Sequence, residues 1–285
     1  WKENLSFSQL PQVVNPKSGF VHSANQTPFN VTAPADNPRL EDYAPGHGFQ
    51  MDMTNRAQRG LELFAELGPI SEAEFSAIKH DKYYSPNAPY VPYLQQIAAT
   101  QFAEPKLVEA QALLASWDLG TDLDNKAAAL GTCVFLTAER DDQRAAHSEQ
   151  QIAELLGGCV DKLMVAKGRI DPPWGEVNRH VRGELNLPVA GGPDILRAIY
   201  GRGIEDNGYL TNVAGDGLYY LVSWGADGTQ KVEGVHQFGS ATLDATSPHY
   251  GDQAEDYAKE IMHDPLFDAA RLQANLQRVY APGDE

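Results

Sequence analysis

Cysteine is scarce in this chain: two in 285 residues, Cys133 and Cys159, with no CxxC spacing and no paired histidines nearby. That excludes a structural zinc site of the usual kind, which gathers four Cys and His ligands at short spacings. The two cysteines are open to two readings, buried thiols, which we adopt, or one disulfide if the protein is exported. Positive charge is also short, with 22 Lys and Arg against 39 Asp and Glu, a formal −17. Such a surface repels phosphate backbones and anionic lipid, which sets aside nucleic acid and membrane-surface binding. No apolar run approaches the roughly 18 residues that a membrane-spanning helix needs. The opening stretch, WKENLSFSQLPQ, has neither an initiator Met nor the apolar core of a signal peptide. We therefore expect a processed or excised piece of a longer chain. The eight histidines show no HxH or HExxH spacing and read as surface or structural residues.

What is present describes a folded chain with a sizeable core, since 42% hydrophobic and 21% charged residues are ordinary for globular proteins. Residues 1–50 are rich in Pro, Asn and Gly, and two short β-like runs, Gln12 to Asn15 and Gly19 to His22, predict brief strands among loops. Residues 51–170 form a helical block. In "TNRAQRGLELFAEL" Leu61, Phe64 and Leu67 share a helical face, and Gly68 and Pro69 stop the helix. Ser71 and Glu74 make a capping-box pattern that opens the next helix. Residues 171–285 return to alternation: "GLYYLVSW" and "KVEGVHQF" flank a Gly-containing turn and predict a β-hairpin, followed by two amphipathic stretches, the last over 268–280. The order strand, helices, strands predicts an α+β chain whose two ends share one sheet, with the helical block as an inserted lobe.

Five segments carry a resemblance. They are "NPKSGFVHSANQTPF" at 15–29, "NRAQRGLELF" at 55–64, "ASWDL" at 115–119, "WGEVNRHVRGELNLPVAGGPD" at 174–194 and "GSATLDATSPHYGDQ" at 239–253. Together, and in this order, they resemble the penicillin acylase family of N-terminal nucleophile hydrolases, which includes penicillin, cephalosporin, aculeacin and acyl-homoserine lactone acylases. The resemblance implies the C-terminal portion of an αββα sandwich with an inserted helical lobe. It also implies a precursor that cuts itself to expose an N-terminal Ser, Thr or Cys as nucleophile, with that residue's own α-amino group as base. The nucleophile would lie before this segment, so the resemblance implies partner polypeptides: the rest of the large subunit and a small subunit.

By the same resemblance, Asn25 is the asparagine whose side-chain amide donates to the oxyanion, with Gly19 and Pro28 as backbone punctuation. Arg56 corresponds to an arginine that helps hold that asparagine; read alone, it is a helix-start arginine in a surface ion pair. Asp36, in "APADNP", is near where some members place a carboxylate ligand of calcium; read alone, it is a turn residue. No cofactor is implied for the chemistry. His249 and Asp252, in "SPHYGDQ", are expected in a buried hydrogen-bond network rather than a catalytic triad. Arg59, Trp117 and Trp174 read as structural. The substrate class implied is a small N-acyl amide of penicillin, acyl-homoserine lactone or lipopeptide type, and the location periplasmic or extracellular. The rival reading is a non-catalytic acyl-binding or scaffold relative.

Overall fold

Side-chain caps start several of the helices in the computed structural model, which describes residues 4–139, 147–279, 281 and 283. Trp1 lies outside the described residues. Helix α1, Asn55–Leu67, starts where Thr54 Oγ1 accepts from Ala57 N, and Gly68 follows it at a positive φ of 64°. Helix α2, Glu72–Lys79, carries the expected box, with Ser71 and Glu74 bonding reciprocally. Helices α3 (Val91–Ala99) and α4 (Pro105–Ala115) follow, each with Pro in its first turn, where a missing N–H costs nothing. Then come α5, Ala128–Glu139, and α6, Glu149–Lys167, which ends on a left-handed Gly168. The chain continues through α7 (Trp174–Val177), β1 (Asn178–Arg182), β2 (Leu185–Pro188), β3 (Ile199–Arg202), α8 (Ile204–Asn207) and β4 (Leu210–Gly215). The last elements are β5 (Leu218–Trp224), β6 (Gln230–His236), α9 (Ala254–Ala258) and α10 (Ala269–Asn275). The fold class is the expected α+β.

The chain divides into two compact units. The first spans Trp1–Val181 and Asn186–Gly215. Its core is helical: α3 to α6 pack on one another around Ile97, Leu107, Leu130, Phe135, Ile152, Leu156 and Leu163. Tyr84, Trp117 and Phe135 close one end, with Tyr84 edge-on to Phe135 at 4.8 Å between ring centres. A four-stranded sheet in the order β2-β1-β4-β3 completes the unit, with β1 parallel and β3 antiparallel to β4. The second unit, Arg182–Leu185 with Asp216–Glu285, is built on the predicted hairpin, β5 paired antiparallel with β6 from Leu218↔His236 to Trp224↔Gln230.

Three expectations need correction. Gln12–Asn15 and Gly19–His22 form no strand; residues 4–54 hold only turns and three short 3-10 segments, so no sheet joins the two ends among the described residues. A strand needs a neighbour to share its backbone bonds, and in the second run side chains take two of them, at Phe20 O and His22 O. On α1 the buried Ala57 and Gly60 lie on the face that carries Leu61 and Phe64, as the spacing indicates, and the end of that face at Leu67 is exposed. The last amphipathic stretch is helical only over Ala269–Asn275 rather than 268–280, and Tyr280 lies outside the described residues. Finally, Cys133 and Cys159 are not thiols: they form a disulfide across α5 and α6, with Cα atoms 5.8 Å apart. Close packing of those two helices brings the cysteines within bridging distance, which spacing along the chain cannot reveal.

The disulfide closes 26 residues of chain. Chain-entropy arguments then predict that Cys133→Ser with Cys159→Ser lowers unfolding stability by about 3 kcal/mol. Urea unfolding of the double variant against the oxidised parent measures it, and an unchanged midpoint would refute it.

Candidate active site

The loop that carries Asn25 has no ladder of its own and is fixed piece by piece. Ser18 N donates to Asp36 Oδ2 at 2.7 Å, and Thr32 Oγ1 donates to Phe20 O at 2.7 Å. His22 N donates to Val31 O at 2.7 Å, while Gln26 accepts from Ala24 N and donates to His22 O and Asn30 O. The loop then lies down on α1. Phe20 stacks on Phe64 with ring centres 4.8 Å apart, Thr54 Oγ1 donates to Ala24 O at 2.8 Å, and the His22 ring sits over Gly60. A Cβ at Gly60 would come within 2.6 Å of His22 Nε2, so this position tolerates no side chain while the ring stays in place. His22 Nε2 also meets Arg56 O at 3.3 Å.

Asn25 sits on this platform in the left-handed region, φ 63°, which Asn adopts more readily than most residues. Its side chain is exposed, and its Oδ1 accepts from Arg56 Nη2 at 3.0 Å. Arginine only donates, so the atom facing it is the amide oxygen, and the Nδ2 group with its two hydrogens is turned the other way. Arg56 in turn is held by Asp194, Nε to Oδ1 at 3.2 Å. This is not the surface pair that a helix-start arginine suggests: the Asp194 side chain is 7% exposed and that of Arg56 23%.

Asp194 is the residue that sequence reasoning missed, although it closes the quoted segment ending "AGGPD". Its Oδ2 accepts from Asn55 N at 2.7 Å and from Tyr90 OH at 3.0 Å, and its backbone O accepts from Asn55 Nδ2 at 2.6 Å. The turn that presents it is anchored in the core. Trp174 Nε1 donates to Gly191 O at 2.8 Å, Asn178 Nδ2 to Val189 O at 2.9 Å, and Tyr84 OH to Pro193 O at 2.7 Å. Gly191, at φ 95°, lies so close to Arg197 that a Cβ would come within 2.4 Å of its backbone O. A cavity of about 210 Å³ opens beside Arg56 and Asp194, walled by Met53, Pro89, Tyr90, Tyr93 and Tyr200. A second cavity, about 250 Å³, lies along α5, α6 and β4 and does not include the Asn25 loop.

The remaining expected residues make contacts within the fold. Two hydrogen bonds from Ser18, backbone first and hydroxyl second, hold the Asp36 carboxyl below its usual range. A calcium ion wants six to eight oxygens. With Asp36 committed to Ser18, and no group of three or more His, Cys, Asp or Glu side chains arranged for a metal among the described residues, this loop does not by itself fit one. Arg59 donates to both carboxylate oxygens of Asp81, at 3.1 and 2.9 Å. Trp117 and Trp174 are buried. In the second unit His249 does bond Asp252, Nδ1 to Oδ2 at 2.8 Å, but the pair is not buried: the side chains are 61% and 37% exposed. The lock in that segment is Arg182, stacked 3.6 Å from the centre of the Tyr250 ring and donating to Tyr250 O.

The chain has a mixed α+β fold of the penicillin acylase class. Its structure is similar to that of the thermostable penicillin G acylase from Alcaligenes faecalis, with a TM-score of 0.52 and 14% identity over 97% of this chain. The match spans 59% of that enzyme's chain. The family model for penicillin amidase matches residues 1–274, and the chain belongs to that family.

Burial holds the His22 pKa below its ordinary 6.5; the bond to Arg56 O acts against this, and the Arg56 charge adds to it. A lowered folded-state value means that the unfolded chain takes up the proton first as pH falls. The His22 contribution is therefore complete above about pH 6.5 and declines as pH falls towards the lowered folded value. The stability difference between the parent and His22→Gln should shrink from about pH 7.5 to about pH 5 in urea titrations; a constant difference would exclude this.

Proposed function

We propose that this chain supplies the oxyanion side of an amidohydrolase that removes the acyl group from a small N-acyl amide. The carrying observation is the bond from Arg56 Nη2 to Asn25 Oδ1, which ties the amide oxygen back and leaves Nδ2 as a fixed donor. Negative charge appears on the scissile carbonyl oxygen only as a nucleophile attacks, so a donor aimed beforehand stabilises the transition state more than the bound substrate. The nucleophile is an N-terminal Ser, Thr or Cys on polypeptide outside this sequence. Its hydroxyl or thiol adds to the carbonyl, its proton passes through the α-amino group to the departing amine, and water then hydrolyses the acyl-enzyme. Family membership and fold support this reading.

The rest of the acylase is the partner, and the exposed alternation Leu218, Tyr220, Val222, Trp224 along β5 is the kind of apolar strand face that such an assembly covers. The Cys133–Cys159 disulfide favours an oxidising compartment, periplasmic or extracellular, and no helix among the described residues is long and apolar enough to cross a membrane. Substrates of this reading are penicillin, acyl-homoserine lactone or lipopeptide amides.

Two experiments test it. N-terminal sequencing of every polypeptide that copurifies with the native protein should find one that starts with Ser, Thr or Cys; a single species without such an end would leave the non-catalytic alternative. In the active assembly, assayed with a panel of acyl p-nitroanilides, Asn25→Ala and the isosteric Asn25→Asp should each lower kcat by roughly 100-fold or more. Asn25→Asp keeps the left-handed backbone and the Arg56 contact but replaces the donor with a carboxylate oxygen, and Asn25→Ala removes the donor without adding that charge, so a loss in both points to the N–H. Turnover within a few-fold of the parent for both would refute oxyanion duty.

A further inference from the structure

We propose that Asp194 is a positioning residue for the reaction: through Arg56 it sets the direction in which the Asn25 amide points. The inference rests on the oxyanion reading of Asn25 and extends it to a residue 169 positions further along the chain. Arg56 stands in the first turn of α1, the end of a helix where a positive charge is disfavoured by the aligned peptide dipoles. A flexible arginine there gains most by swinging into solvent, where its rotamers are free. Asp194 prevents this. Its carboxylate offers Oδ1 to Arg56 Nε while Oδ2 is occupied by Asn55 N and Tyr90 OH, so the guanidinium is gripped along one edge and its Nη2 projects to Asn25.

The carboxylate itself has little freedom. Tyr200 OH is 3.0 Å from Asp194 N, and Asn55 grips the backbone O while its own Oδ1 accepts from Ser85 N at 2.8 Å. A nearly buried anion with this many donors is a fixed reference point, and Arg56 carries its position outward to an exposed amide. Asp194 also caps α1 through Asn55 N, so the test has to separate aiming from capping.

Asp194→Asn does so, because a carboxamide oxygen still accepts from Asn55 N and Tyr90 OH, while the charge that holds Arg56 is gone. In the active assembly we expect kcat to fall between roughly 10- and 100-fold with KM little changed. Arg56→Lys, which keeps the charge but cannot bridge Asp194 and Asn25 together, should give a similar loss and serves if Asp194→Asn folds poorly. The decisive comparison is the cycle with Asn25→Ala. If Asp194 acts through Asn25, adding Asp194→Asn to Asn25→Ala costs no more than about two-fold further. Independent, multiplying losses would mean a structural role only and would overturn the proposal. A crystal structure of Asp194→Asn gives a readout free of turnover: the Asn25 amide should be turned or spread over rotamers, and an Asn25–Arg56 bond left intact would overturn the proposal. If Asn25→Ala alone leaves turnover unchanged, the oxyanion reading fails, and the crystal structure still decides whether Asp194 aims Asn25.

Discussion

The contact between the Asp194 carboxylate and the start of α1 joins residues 139 positions apart, and the geometry of the site depends on it. On one side of the contact stands the packed core: the turn over 189–194 is fastened by Trp174, Asn178 and Tyr84. On the other stands a loop with no strand, whose exposed Asn25 would otherwise sample many orientations. A side-chain amide is useful to a reaction only if its donor is already aimed, since reorienting it during the attack would cost as much as the bond returns. Rigidity here is imported from the helical core along a chain of charged and polar contacts rather than generated within the loop.

The helices were legible in the sequence because they announce themselves locally. Thr54, Ser71 with Glu74, and Gly168 are boundary residues whose chemistry acts over three or four positions, and the hairpin of β5 and β6 shows in its period of two. What failed to show depended on distant partners. The runs at 12–15 and 19–22 looked like strands because their apolar pairs alternate, yet strand identity belongs to a pair of segments; in the second run Phe20 O and His22 O accept from the Thr32 and Gln26 side chains, and His22 N donates to Val31 O across the loop. The apolar stripe of α1 was legible too: Ala57 and Gly60 are buried on its face, Phe64 stacks on Phe20, and Leu67 at its end is exposed.

Within the site, Asn25 and Arg56 were reached through a pattern, while Asp194 was quoted at the end of a segment and given no role. Two local signs were available. An aspartate after Gly-Gly-Pro is a strong turn former, and α1 opens Thr-Asn-Arg with no acidic residue in its first turn to balance the arginine. An unbalanced charge at a helix start asks for a carboxylate from elsewhere, but nothing local says which of 39 acidic residues supplies it. The disulfide was hidden for the same reason, since Cys133 and Cys159 become neighbours only once α5 and α6 pack.

A helix start is well suited to being the meeting point. Successive residues on a helix point about 100° apart, so one turn faces four directions. Here Thr54 donates to the loop backbone at Ala24, Asn55 grips the turn at Asp194 and the strand-like segment at Ser85, and Arg56 reaches Asn25. Ala57 is fully buried, and Gly60, one turn on, admits His22. The free N–H groups of a first turn need acceptors in any case, and Thr54 and Asp194 meet that need with atoms that also fix the loop and the arginine. Fixing the exposed amide thus adds few demands beyond those that starting the helix already makes. A substitution in this turn should therefore disturb the orientation of Asn25 and the stability of α1 together, unless, like Asp194→Asn, it removes a charge while leaving the acceptor in place.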